Sequence, residues 1–208
     1  MKRRIFILGA LSGAITSPAL TSLAWATPTS LEISEAAKAL VGAAREQVGS
    51  TLIYDGSYVR LDYPGGDVPM IRGVCTDVVV RAYRTAFGYD LQKTVHEDMQ
   101  RAFSAYPSIW GMSKPDRNID HRRVPNLQTF FKRQRAALAV TDNAQDYAPG
   151  DLVTYMLGGN RPHIAIVSDR YTMLGKRPYI IHNIGLGARE DDMLMDFKMT
   201  GHYRFFPA

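Results

Sequence analysis

The chain has 208 residues, 46% of them hydrophobic and 22% charged, which supports one folded core and leaves too little chain for two large domains. Its formal charge of +5 is concentrated at the start: without Lys2, Arg3 and Arg4, 22 basic side chains face 20 acidic ones, a net +2. Nucleic-acid binding, which needs a dense basic face, thereby loses its main support, and no nucleic-acid partner is expected.

Residues 1–26 read as a cleavable export signal, with a basic start, an apolar stretch from Ile5 to Leu20, and Ala24-Trp25-Ala26 as a small-x-small cleavage site. Arg3-Arg4 before Ile5-Phe6-Ile7 fits a twin-arginine signal except at Lys2, so both export routes stay open. Gly9, Gly13 and Pro18 break the stretch, and no later segment reaches the ~20 consecutive apolar residues of a membrane span. The expectation is a soluble periplasmic or otherwise exported protein, with no stable membrane insertion after signal removal and a single domain over 27–208.

Ile33, Ala36, Ala37, Leu40, Ala44 and Val48 recur at helical spacing and predict a helix over 33–48, capped by Ser30 or Ser34 and ended by Gly49. Residues 50–73, with Tyr54, Tyr58 and Tyr63 among Asp, Gly and Pro, read as a long structured loop, the kind of segment that carries function. Val78-Val79-Val80 favours a strand, but Val79, Ala82, Tyr83, Ala86 and Phe87 recur at helical spacing and Gly88 supplies a stop. A buried helix over 75–87 is therefore predicted, followed by a helix over 92–103, a loop over 106–124 and a short helix over 125–135 opened by Pro125. The last third changes character, with short apolar strands at 152–157, 164–168, 179–184 and 202–206 separated by Gly, Pro and Asp. Helices first and strands after make an α+β domain, N-terminal helices packed on a C-terminal antiparallel sheet.

Cys75 is the only cysteine, so no internal disulfide forms. It is an inert buried thiol, one half of an intermolecular disulfide, or a nucleophile, and its surroundings favour the last. A thiol attacks a carbonyl as thiolate, and the unsatisfied N–H groups of a helix N-terminus, where Cys75 is predicted to lie, favour that anion and the oxyanion formed on attack. The thiol also needs a base, and the base a third polar group to orient it. If the strands around 169–178 form a hairpin with Ser168 opposite Tyr179, His163 falls opposite Asn183 or Ile184, one or two residues from His182. Directly opposed Cβ atoms are ~5 Å apart and diagonal ones ~7 Å, so the two imidazoles can meet, whereas a one-residue slip would turn one ring to the other face.

Five segments carry a resemblance: A-R-E-Q-V-G-S-T-L-I-Y, G-V-C-T-D-V-V-V-R-A-Y-R, P-G-D-L-V, P-H-I-A-I-V-S-D and I-I-H-N-I-G, spanning 44–185. In this order they resemble the NlpC-type, papain-like cell-wall cysteine peptidases, and more closely a group of exported bacterial proteins of unknown function placed near them. The resemblance implies a papain-like fold with Cys75 as nucleophile, His163 as general base and then acid, and His182 as the residue orienting His163. It also implies a tyrosine assisting the oxyanion site, for which Tyr54 fits best and Tyr63 competes. The family commonly has D-C-S-G where this chain has V-C-T-D, and its stretch before the cysteine is shorter. The implied activity is periplasmic amide hydrolysis on peptidoglycan stem peptides or another peptide substrate, through a thioester and without a cofactor. The alternatives are a non-catalytic cell-wall or protein-binding module on the same fold, and an acyltransferase using the same triad.

Asp77 is expected to cap the helix that Cys75 opens. Arg122 and Arg123 either bind a substrate carboxylate, which the fork of an arginine matches, or pair with Asp120 to fix their loop. His96-Glu97-Asp98 lacks the H-E-x-x-H spacing and no cysteine pair exists, so no metal is expected.

Overall fold

The computed structural model describes residues 33–207, so the export signal expected at 1–26 lies outside the described residues. Helix α1 (Glu35–Arg45) starts at Ser34, whose hydroxyl accepts from the Ala37 N–H at 3.2 Å, and buries Ala37, Leu40, Val41 and Ala44. Helix α2 (Cys75–Phe87) runs over the expected residues and stops at Gly88 in the left-handed conformation. Val78, Val79 and Val80 are all buried, so tertiary burial on several sides overrides the strand preference of the β-branched run. Helix α3 (Leu91–Ala102) is capped by Asp90, and α4 (Val124–Arg133) carries Pro125 in its first turn.

The loop expected over 50–73 contains a two-residue parallel pair, β1 (Ile53–Tyr54) with β2 (Arg72–Gly73). The main sheet is six-stranded and antiparallel, in the order β3-β8-β4-β5-β6-β7. Its strands are β3 (Ala137–Leu138), β4 (Leu152–Leu157), β5 (Arg161–Tyr171), β6 (Pro178–Asn183), β7 (Ala188–Asp191) and β8 (Lys198–Tyr203). Mixed α+β architecture with an antiparallel sheet is thus what the chain adopts. Strands β3, β7 and β8 depart from expectation, β3 having no counterpart in it. The run at 202–206 is strand only as far as Tyr203, because Phe205 leaves the sheet to pack against Tyr83 and Phe131, with ring centroids at 6.0 and 5.6 Å. Strand β7 was not expected at all: Ala-Arg-Glu-Asp has no apolar alternation, and as an edge strand it carries charges that discourage further pairing.

Alternation along the strands sorts the interior into two layers. Leu152, Ile164, Ile166 and Ile181 join α1, α2 and α4 in the larger core, while Val153, Tyr155, Ala165, Val167 and Ile180 bury the other face under Tyr147 and Leu194. Gly187, at φ +88°, sits in the β6–β7 turn where a Cβ would come within 2.5 Å of the Thr51 carbonyl, and the Ala188 N–H donates to that carbonyl at 2.8 Å. A larger residue would lift this turn off the segment leading into Tyr54. Among the described residues no helix is long and apolar enough to cross a membrane.

Candidate active site

Cys75 is the first residue of α2 and is only 4% exposed. The backbone N–H groups of Ile164 on β5 and of Thr76 and Cys75 itself lie on the side of its sulfur and pull its pKa down. These N–H groups favour the thiolate, but burial outweighs them and, with Asp77 nearby, pushes the thiol up to about 11. The resting sulfur is therefore S–H at neutral pH. Asp77 occupies the capping position expected of it: its carboxylate accepts from the Val74 N–H at 2.7 Å.

The two histidines meet. His163 Nε2 lies 2.9 Å from His182 Nδ1, and the rings cross at 68° with centroids 5.0 Å apart. Pairing of Ile166 with Ile181 and Val167 with Ile180 sets the register; continued back along β5 it brings His163 opposite Ile184, diagonal to His182. Both histidines alternate with residues of the helix-side core, so both rings lie on the far face of the sheet, where His163 stacks on Tyr155 at 6.3 Å. Burial drives both imidazoles toward the neutral form, His163 down to about 3. The other nitrogen of His182, Nε2, lies 3.2 Å from Asp191 Oδ2 on β7. Sequence reasoning missed Asp191 because it missed its strand, and no apolar pattern in that segment could have revealed it.

Tyr54 stands beside the cysteine because β1 pairs Tyr54 with Gly73, two residues before Cys75. Burial first, then the Cys75 sulfur once ionised and the Asp77 carboxylate, push its phenol up to about 12, so it remains an O–H donor at neutral pH. Its rival Tyr63 packs edge-on against His96 of α3 at 5.3 Å and under Arg117, and lines neither cavity beside the thiol. Two cavities flank Tyr54 and Pro162. One of about 240 Å³ is bounded by Cys75, Trp110, Arg123 and Pro125, and one of about 370 Å³ by Leu157, Arg161, His163 and Ile184. Cys75 lines the first cavity and His163 the second, and Tyr54 and Pro162 are common to both.

The two arginines separate. Arg122, expected as a possible carboxylate receptor, lines the thiol-side cavity, but its guanidinium is engaged by the protein itself. Its Nε and Nη2 donate to Asp77 at 2.9 Å each, and its remaining contacts are to the Asp55 and Ser57 carbonyls at 3.0 and 3.1 Å. Nor does it pair with Asp120. Arg123 keeps most of its donors, touching Asp120 only at 3.5 Å and stacking its guanidinium over Trp110 at 4.2 Å, on the wall of the thiol-side cavity. Among the described residues no group of three or more His, Cys, Asp or Glu could hold a metal ion.

Comparison with known proteins gives two matches. Residues 41–205 match the family described as "Domain of unknown function (DUF1287)". The chain is also 49% identical over 207 residues, 99% of both chains, to "Uncharacterized protein YijF" of Escherichia coli (strain K12).

Proposed function

The chain belongs to the DUF1287 family, and from that premise we propose that it is a periplasmic cysteine-dependent amide hydrolase with an NlpC-like, papain-like active site. Peptidoglycan stem peptides are the proposed substrate. The observation carrying this reading is a thiol at a helix N-terminus whose cavity shares Tyr54 and Pro162 with the cavity lined by His163, itself hydrogen-bonded to His182.

Cys75 loses its proton to His163 as its sulfur attacks the carbonyl carbon. The concerted form of this step follows from burial, which keeps both groups neutral beforehand. Negative charge collects on the former carbonyl oxygen, where the N–H groups of the α2 tip and the Tyr54 hydroxyl can donate to it. His163 then returns the proton to the leaving amine, a thioester remains on Cys75, and water activated by His163 releases the acid. His182 holds His163 in place throughout. Arg123, kept flat by Trp110, offers its fork to a substrate carboxylate in the thiol-side cavity.

Wild type and Cys75→Ala are incubated with purified cell-wall fragments and the products read by mass spectrometry. New peptide termini with the wild type alone support the reading, and joined peptides indicate an acyltransferase instead. A second reading, a binding module on the same fold, draws on the depth and protonation of Cys75. It predicts retention of cell-wall fragments by both proteins with no change in their mass.

A further inference from the structure

We propose that Asp191 is the positioning residue that sets the direction of the histidine pair, so that His163 presents a lone pair to the thiol only while the Asp191 carboxylate faces His182. The catalytic meaning rests on the hydrolase reading, whereas the proton arrangement can be tested without it.

A carboxylate oxygen can only accept, so the 3.2 Å contact between Asp191 Oδ2 and His182 Nε2 fixes a proton on Nε2. In a neutral imidazole the other nitrogen is then an acceptor. His182 Nδ1 therefore accepts, at 2.9 Å, from Nε2–H of His163. His163 in turn has its proton on Nε2 and its lone pair on Nδ1, the nitrogen left to act as base in the proposed reaction. One acceptor at the end of the row decides both tautomers, because burial keeps both rings neutral.

The sheet makes this row possible. It crosses the adjacent strands β5, β6 and β7 with the same stagger at each step: His182 pairs with Arg189, two residues from Asp191, and His163 is likewise two residues from a direct pairing with His182. Equal two-residue offsets keep all three side chains on one face. Arg189 donates to the other oxygen, Oδ1, at 3.1 Å, leaving Oδ2 to the histidine.

Without the carboxylate the same 2.9 Å contact allows the opposite arrangement. His182 would carry its proton on Nδ1 and donate to His163 Nε2, which puts the His163 proton on Nδ1 and removes the base. An amide at 191 would favour this reversal, because its NH₂ can donate to His182 Nε2. During attack the S–H bond breaks as the S–C bond forms, the proton goes to His163 Nδ1 and the carbonyl π pair to oxygen. Asp191 remains a carboxylate, stabilising the imidazolium through His182 without taking a proton.

Long-range ¹H–¹⁵N spectra of the histidine-labelled full chain near pH 7.5 test this, with signals assigned from His163→Gln and His182→Gln. Expected are Nε2–H tautomers for both residues in the wild type, Nδ1–H for both in Asp191→Asn, and return to Nε2–H in Asp191→Glu. The His202 signals, from a buried histidine bonded to Asp151, should stay unchanged and report an intact fold. Nδ1–H on His163 in the wild type, or identical tautomers in wild type and a folded Asp191→Asn, overturns the proposal; should Asp191→Asn not fold, the wild-type spectrum decides alone. If peptide cleavage is observed, kcat should fall roughly 10⁴-fold in Asp191→Asn with KM little changed, the size found when a triad carboxylate becomes an amide. The expected tautomers in a protein that cleaves no amide would sink the hydrolase reading and leave this one standing.

Discussion

Arg122→Ala removes one partner of an ion pair whose side chains are 2% and 4% exposed. Solvent screening is negligible at that depth, and Asp77 would retain a buried charge facing no cation. Breaking such a pair from one side costs about 3–5 kcal/mol. The Asp55 and Ser57 carbonyls lose donors too, but they are only partly buried and water can replace the bond. For a domain of this size each kcal/mol lowers Tm by about 2–4 °C, so a drop on the order of 10 °C is expected. Urea denaturation of Arg122→Ala, Asp77→Asn and the double variant measures the coupling directly. The double variant should be less destabilised than the sum of the singles by at least 1 kcal/mol, since neither charge is then left alone. Equal urea midpoints for wild type and Arg122→Ala would refute the scaffold assignment and return Arg122 to the substrate-binding set. Arg123→Ala, by contrast, should leave the midpoint within about 0.5 kcal/mol and raise KM for carboxylate-bearing peptides.

Alkylation of Cys75 by iodoacetamide should accelerate about tenfold per pH unit from pH 7 to 10, since the thiol is pushed up to about 11; a plateau reached below pH 6 would reveal a preformed thiolate–imidazolium pair. His121 and His163 are each held down to about 3 by burial, so the unfolded chain binds more protons than the folded one below an unfolded value of about 6.5. Stability is then fully present above that pH and lost as pH falls, by up to about 1.4 kcal/mol per unit for each histidine; urea midpoints that are flat from pH 7 to 5 would contradict this. Tyr54→Phe should lower kcat by 10- to 100-fold or more if its hydroxyl serves the oxyanion, and circular dichroism should show an unaltered fold because the ring is kept and the residue is 45% exposed. Gly187→Ala should destabilise by about 1–3 kcal/mol in thermal melts, through its φ of +88° and the approach of the Thr51 carbonyl.

Much of the arrangement is written in local pattern. The bounds of α2 followed from helical spacing and Gly88, the start of α1 from two candidate caps, Ser30 and Ser34, of which the second caps it, and the diagonal approach of the two histidines from counting back along a hairpin. These depend on neighbours within one or two turns or across one strand pair, where side-chain period and backbone preference act directly. Other features needed the assembled chain. Arg122 and Arg123 are adjacent, chemically alike and both line the thiol-side cavity, yet the guanidinium of one is tied to Asp77 and that of the other is stacked on Trp110. Tyr54 fitted better than Tyr63 as sequence, and a two-residue parallel pairing with Gly73 is what sets it beside the thiol. Asp191 was invisible because a charged edge strand has no hydrophobic period. Local order fixed which groups are available and on which side of their strand they lie; long-range packing decided which are shielded from water, and with that which carry a proton and which can receive one.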